Sequence, residues 1–239
     1  MFLTMNDTPF LPLTQGPASS FCYHVAAIIP LLSSHACNKS LDDLLLPISQ
    51  NTNLIQAAVF HAALAGAHTI WLVGDPKLLA LTSAALPRFI ALSYKKHDCI
   101  PIYRIIPGIE YHMQTFDENK LLLYGAYIAH KTTSQASLWL APVRYFALFP
   151  RYIYNYDISM EQIRQPLRIK NVVVQSQNEI LNYAFDLHTW KDSYEHYKLD
   201  QKDLITSRIS EPHIINIPEY YYIKDFNDYR KFWASNYEI

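Results

Sequence analysis

Residues 25–75 constrain the fold more than any other part of this chain. They read VAAIIPLLSSHACNKSLDDLLLPISQNTNLIQAAVFHAALAGAHTIWLVGD. The apolar run Val25–Pro30 suits a strand buried on both faces. A polar stretch, Leu31–Asp43, carries Ser33, Ser34, His35, Asn38 and Lys39 and leads into Leu44-Leu45-Leu46-Pro47-Ile48. Asn53 is placed to cap a helix over Leu54–Ala65, because its side-chain oxygen can accept from the free amides of the first turn. Leu54, Ala58, Ala62 and Ala65 recur at helical spacing, and Gly66 is a natural C-terminal stop. Thr69–Val73 is a second strand, ending in Gly74-Asp75. The pattern predicts one β-α-β unit with a long insertion after its first strand.

The same alternation continues. Strands are predicted at Ile100–Ile106, Arg144–Phe149 and Lys170–Gln175, with short extended pieces at Ile214–Ile217 and Tyr220–Ile223. Helices are predicted from Asp75-Pro76 to Leu86, from Lys120 to Ser137, and over Asp225–Trp233 with Asp225 as its cap. Tyr152–Pro166 and Asn178–Asp200 support no single reading. Strands alternating with helices imply an α/β fold with three layers: a mostly parallel Rossmann-like sheet, helices on both faces, and an irregular C-terminal part. Residues 1–20, punctuated by Pro9, Pro12 and Pro17, read as an irregular arm; residues 21–239 read as a single α/β domain.

Charge narrows the partners. The net charge is −1, and the only adjacent basic pairs are Lys95-Lys96 and Arg230-Lys231. No field draws in nucleic acid or an acidic membrane, so neither is an expected partner. Charged residues make up 17% of the chain, below the usual quarter, and tyrosine occurs 18 times. Tyrosine combines apolar area with one hydrogen-bonding tip, which suits core packing first and protein contacts or self-association second. Cys22, Cys37 and Cys99 are odd in number and far apart. That pattern fits free thiols in a reducing compartment, and with no signal-peptide pattern and no apolar run of membrane-spanning length a cytoplasmic location is expected.

The five glycines are the sharpest compositional fact. Average usage would give about three times as many. Gly16, Gly66, Gly74, Gly108 and Gly125 are too scattered for a GxGxxG or P-loop. A glycine-built phosphate cradle is therefore absent, and phosphate would have to be held by side chains or by a plain helix N-terminus.

Three segments, in order, resemble the sugar-nucleotide nucleotidyltransferases. The opening unit is similar to the family's strand, phosphate loop and Leu-Pro-Ile run. Leu123-Tyr124-Gly125-Ala126-Tyr127-Ile128-Ala129 followed by Arg144-Tyr145-Phe146-Ala147-Leu148-Phe149 looks like the family's Gly-Ala helix and central strand. Tyr220-Tyr221-Tyr222-Ile223-Lys224-Asp225-Phe226-Asn227-Asp228-Tyr229 is similar to the closing strand-turn-helix. The resemblance implies a glycosyltransferase A-like fold, a Rossmann-type sheet with a nucleotide cleft at the strand C-termini. It also implies a nucleotidyl- or glycosyltransferase if the chain is active.

The departures fall on the chemistry. The family's phosphate loop would lie at Leu31–Lys39, where no glycine or arginine stands. Its lysine before the Leu-Pro run is replaced by Asp43 or Leu44. Its central strand ends in a metal-binding aspartate; here the chain reads Phe149-Pro150-Arg151. The closing aspartate position is Tyr222. The family's two carboxylates hold Mg²⁺ against the nucleotide phosphates. Without them no metal site and no cofactor are expected, unless Asp42, Asp43 or Asp75 supplies Mg²⁺.

The resemblance makes Ser33, Ser34, Lys39, Gly125 and Arg151 the candidate nucleotide-binding residues, with no catalytic residue assigned. Gly125 would approach the nucleotide. Arg151 could pair bidentately with phosphate in place of a cation, or be an ordinary ion-paired arginine. Cys22-x-His24 and His35-x-Cys37 have zinc-type residues at an atypical one-residue spacing, which favours buried cysteines and ordinary histidines. Asp42-Asp43 read as turn or capping acids, and His61 as a core histidine. Ser33-Ser34 with His35 lack the elbow of a nucleophile motif. Tyr220-Tyr221-Tyr222 could stack a base or sugar, with strand packing as the default. The expected function is binding of a nucleotide or nucleotide-sugar on a nucleotidyltransferase-like fold without the family's metal chemistry. The alternative is a catalytically inactive interaction or scaffold module, for example a viral accessory protein.

Overall fold

The computed structural model describes residues 24–31, 43–49, 52–74, 79, 82, 86, 102–107, 118–135, 143–153, 156–198 and 205–236. The proposed arm at 1–20 and most of the helix expected after Pro76 lie outside them. The strands are β1 (His24–Leu31), β2 (Pro47–Ser49), β3 (Thr52–Asn53), β4 (Thr69–Gly74), β5 (Ile102–Pro107), β6 (Val143–Ala147), β7 (Tyr152–Ile153), β8 (Val172–Ser176), β9 (Glu179–Asp186), β10 (His213–Asn216) and β11 (Tyr221–Tyr222). The helices are α1 (Leu54–Leu64), α2 (Glu118–Gln135), α3 (Tyr156–Leu167), α4 (Leu187–Lys198) and α5 (Phe226–Asn236).

A seven-stranded sheet has the order β10-β8-β9-β6-β1-β4-β5. β1 is parallel to β4 on one side and to β6 on the other, β4 is parallel to β5, and β8 to β10. β9 runs antiparallel to both β6 and β8. The chain therefore builds outward from β1 through β4 to β5, then returns to start the other half beside β1. The order reverses between β1 and β6, which is where an open α/β sheet forms a crevice beyond its strand C-termini.

β1 explains the layering. Val25, Ala27, Ile29 and Leu31 join the core under α1 and α3, whereas Ala26 and Ile28 join the core under α2. Both faces are buried, as the unbroken apolar run requires. Trp190 carries α4 into the second core, where its Nε1 donates to the Leu123 carbonyl at 3.0 Å. A smaller cluster of Leu54, Ile223 and Phe232 seats α5 near the start of α1. There Tyr229 Oη and Trp233 Nε1 both donate to the Pro47 carbonyl, at 2.7 and 3.1 Å.

α1 forms as its sequence predicts. Asn53 Oδ1 accepts from the Gln56 amide at 2.8 Å, and Gln56 Oε1 accepts from the Asn53 amide at 2.9 Å, a capping box. Gly66, at φ +81°, ends the helix. The Ala67 amide reaches back to the Ala62 carbonyl and the Gly66 amide to Ala63, the paired bonds of a Schellman stop. Asp225 caps α5 likewise, its Oδ1 accepting from the amides of Asn227 at 2.8 Å and Asp228 at 3.1 Å.

Other boundaries shift for identifiable reasons. β6 ends at Ala147 rather than Phe149, because the Phe149 amide leaves the ladder for Asn182 Oδ1 at 2.9 Å. Asn178–Asp200 resolves into β9 and α4. Gln177 and Asn178, at φ 48° and 73°, make the tight hairpin from β8, and Asp186 Oδ1 caps α4 through the Thr189 amide at 2.9 Å. Tyr152–Pro166 resolves into β7 and α3. Among the described residues no helix is long and apolar enough to cross a membrane.

Candidate functional site

By the rule for open α/β sheets the crevice falls where the register of β1 with β6 (His24↔Val143 through Ile28↔Ala147) runs out. The Leu148 amide still bonds the Ile28 carbonyl at 3.0 Å, after which the chain turns through Phe149-Pro150-Arg151. On the other side Gly74 ends β4 against Leu31. A Cβ on Gly74 would meet the Leu31 carbonyl oxygen and lie 2.8 Å from Leu31 Cβ, so this close strand approach requires glycine.

Gly125 serves packing. It is buried in α2, and a Cβ there would lie 2.7 Å from Val73 Cγ2 and 2.8 Å from Ile28 Cγ2. The missing side chain lets the helix settle onto β1 and β4, directly behind the strands that form the crevice.

Arg151 is buried, and its Nη1 donates to the carbonyls of Ile223 at 3.0 Å and Lys224 at 3.2 Å. Its own carbonyl accepts the Ile223 amide at 2.9 Å. β7 then pairs antiparallel with β11, Tyr152 opposite Tyr222 and Ile153 opposite Tyr221. The fold thus brings together the two stretches that the resemblance marked as carboxylate positions. It fills them with Phe149-Pro150-Arg151 and Tyr222. These residues do not fit a divalent cation held by two carboxylates: one stretch offers a clamped guanidinium, the other a phenol. Among the described residues no group of three or more histidine, cysteine, aspartate or glutamate side chains could hold a metal ion.

Around this corner is an aromatic group that sequence reasoning did not assemble. Tyr152 lies 4.9 Å from Tyr222 and 5.8 Å from Tyr220, ring centre to ring centre, and meets Phe149 edge-on at 6.3 Å. Glu179, the first residue of β9, accepts from Tyr152 Oη at 3.2 Å and from Tyr220 Oη. The bond to Glu179 raises the Tyr220 pKa. The available signal was the tyrosine run; Glu179 and Tyr152 sit in the two segments without a single reading.

The remaining candidates divide between the described and undescribed parts. Ser33, Ser34, Lys39, Asp42, Asp75, Cys22, His35 and Cys37 lie outside the described residues. Asp43 opens the short 3-10 turn Asp43–Leu45. His61 lies in α1, edge-on to Phe60, with its pKa lowered to about 3 by burial. His24 lies at the opposite end of the sheet from the crevice. Its Nε2 is 3.2 Å from Thr69 Oγ1, and that hydroxyl oxygen accepts from Trp71 Nε1 at 2.9 Å. His68 is beside it, ring centres 5.0 Å apart, with Nδ1 accepting the Val25 amide at 3.0 Å. Burial lowers His24 to about 3 and His68 to about 4; a protonated His68 further opposes the charging of His24, and Arg168 and Arg164 oppose that of His68.

No family model matches the chain, and no curated protein sequence does. Solved structures do match. The 4-diphosphocytidyl-2C-methyl-D-erythritol synthase of Anaerococcus prevotii superposes with a TM-score of 0.55 at 10% identity, over 89% of this chain and 98% of that one. A Bacillus anthracis protein assigned as a glucose-1-phosphate thymidylyltransferase gives 0.53 at 11%, over 90% and 96%. A UDP-glucose pyrophosphorylase complexed with UDP-glucose gives 0.53 at 8%, over 89% and 98%. The fold is that of the sugar-nucleotide nucleotidyltransferases. Within that fold, this chain has Phe149-Pro150-Arg151 and Tyr222 where the resemblance places carboxylates, and no glycine over Leu31–Lys39 where it places the phosphate loop.

Proposed function

We propose that this chain binds a nucleotide or nucleotide-sugar in the crevice beyond β1 and β6. The observation that carries the reading is the reversal of strand order at β1, which sets the C-termini of two parallel strands, β1 and β6, side by side. A structure of the same fold binds UDP-glucose. Ser33, Ser34 and Lys39 follow β1 on the insertion and would supply the phosphate contacts. Gly125 and Arg151 would act from behind, the first by seating α2 and the second by holding the closing corner. A divalent ion, where one accompanies the phosphates, would draw on Asp42, Asp43 or Asp75. Nucleotidyl transfer through a two-aspartate metal site is not part of the proposal, because Phe149-Pro150-Arg151 and Tyr222 supply no carboxylate.

The test is a thermal-shift screen of nucleoside triphosphates and nucleotide-sugars, with and without Mg²⁺ and Mn²⁺. A ligand at one hundred times its Kd stabilises the native state by about 2.7 kcal/mol, which raises Tm by roughly 5–10 °C in a chain of this size. Stabilisation by one nucleotide class that Lys39→Ala abolishes supports the proposal. No shift at millimolar ligand refutes it.

A second reading, a protein-interaction module, draws on exposed aromatic side chains at Tyr221, Tyr222 and Phe226. Light scattering across a concentration series tests its simplest form, self-association.

A further inference from the structure

We infer that the corner formed by Tyr152, Tyr220, Tyr222 and Glu179 is a binding subsite for a neutral sugar ring. The inference rests on the nucleotide-sugar reading and names the part of the ligand that this corner would take.

Position comes first. Tyr152 is five residues beyond the last residue of β6, at the crevice end of the sheet. β9 runs antiparallel, so its first residue, Glu179, stands at that same end beside β6. β11 brings Tyr222 against Tyr152 through main-chain pairing. These groups come from three separate parts of the chain and converge at one edge of the crevice.

Chemistry comes second. Tyr222 is 42% exposed although its ring lies against Tyr152, so an aromatic surface remains open to solvent. Glu179 is exposed, and Tyr152 Oη and Tyr220 Oη orient its carboxylate. A carboxylate oxygen has more than one acceptor direction, so capacity remains for ligand hydroxyls. Beside it, across the hairpin, Ser176 is buried with an Oγ that has no hydrogen-bond partner among the described residues. An aromatic face next to a fixed acceptor suits a ring with apolar C–H faces and a rim of hydroxyls.

Charge decides between ligand classes. The Glu179 carboxylate repels phosphate, and Arg151 directs Nη1 at the Ile223 and Lys224 carbonyls. Both Glu179 oxygens already accept a phenol hydroxyl, so the corner offers hydroxyl-type acceptor positions rather than an unengaged carboxylate for an organic cation. A neutral polyhydroxylated ring suits this balance better than either ion, and it places the phosphates on the β1 side of the crevice.

Saturation-transfer NMR on UDP-glucose separates the possibilities, with ADP-glucose and GDP-mannose as further probes. Sugar protons that receive saturation in the native chain, and lose most of it in both Tyr222→Ala and Glu179→Gln while base protons keep theirs, support the subsite. Tyr222→Phe retains the ring and should retain the sugar signal. Circular dichroism confirms that each variant is folded. Saturation of base protons alone, or sugar signals unchanged by both substitutions, overturns the subsite and leaves nucleotide binding standing. No saturation of any probe at millimolar concentration overturns both.

Discussion

Arg151 and Ile223 hold each other twice: the Ile223 amide donates to the Arg151 carbonyl at 2.9 Å, and Arg151 Nη1 donates to the Ile223 carbonyl at 3.0 Å. A third bond runs from Nη1 to the Lys224 carbonyl. Residues 72 positions apart thereby close the corner of the fold, with the guanidinium buried. Arg151→Ala removes the charge-assisted donors from the Ile223 and Lys224 carbonyls. Hydrogen bonds of this kind contribute about 1.5–3 kcal/mol, and stranded buried acceptors add to the loss. Urea denaturation of Arg151→Ala should show destabilisation of about 2–4 kcal/mol. A loss below about 0.5 kcal/mol would mean that the guanidinium serves a ligand rather than the fold.

Gly125 permits a sharper test. The Cβ of Gly125→Ala would press on Ile28 and Val73 side chains that belong to the sheet core. Neither has room to retreat, since both are fully buried. Overpacking of this kind costs about 1–3 kcal/mol. Helix propensity works in the opposite direction, by about 1 kcal/mol in favour of alanine. A net destabilisation in chemical denaturation is expected, and a more stable variant would show that α2 stands further from the sheet.

Acid should weaken the fold through three histidines, His24 buried and His61 and His68 half-buried. His24 and His61 are lowered to about 3 and His68 to about 4, each chiefly by burial. The unfolded chain then binds protons that the folded one refuses, so stability is complete above about pH 6.5 and falls as pH drops toward 4. By pH 5.5 the loss is about 1.4 kcal/mol for each histidine. His68 is the most constrained, facing His24, Arg164 and Arg168. Urea midpoints measured from pH 7.5 to 4.5 should decline over that window, and His61→Leu should make the decline shallower. A flat profile would place the rings in contact with solvent.

The parts of the fold that were legible in sequence are those determined locally. Asn53, Gln56 and Gly66 bound α1 through contacts within a few residues, and the unbroken apolar run of β1 marks a strand covered on both faces. β9 and α4 were not legible, because Asp186 joins them without glycine or proline and marks the boundary only by capping Thr189. The candidate site was hardest to read for the same reason. Glu179 meets Tyr220 across 41 positions and Arg151 meets Ile223 across 72, pairings that no local pattern encodes. The resemblance gave the positions of the two missing carboxylates, but their replacements take roles set by tertiary contacts.

Tyr145 tests how strictly the core is built. It lies in β6 beside β1 and β9, fully buried, with its ring 5.4 Å from Phe185. Its hydroxyl has no hydrogen-bond partner among the described residues, and burial raises its pKa strongly. A phenol stripped of water without a replacement bond loses about 1–3 kcal/mol relative to a satisfied one. Phenylalanine keeps the ring and its stacking while removing the unsatisfied group. Tyr145→Phe should therefore raise stability by about 1 kcal/mol, read as an upward shift of Tm by roughly 2–4 °C. The expected gain depends on the small space left by the oxygen closing around Phe185 and the neighbouring side chains. A variant that loses stability instead would reveal an ordered water on the Tyr145 oxygen, since only a real partner makes that hydroxyl worth keeping in the core.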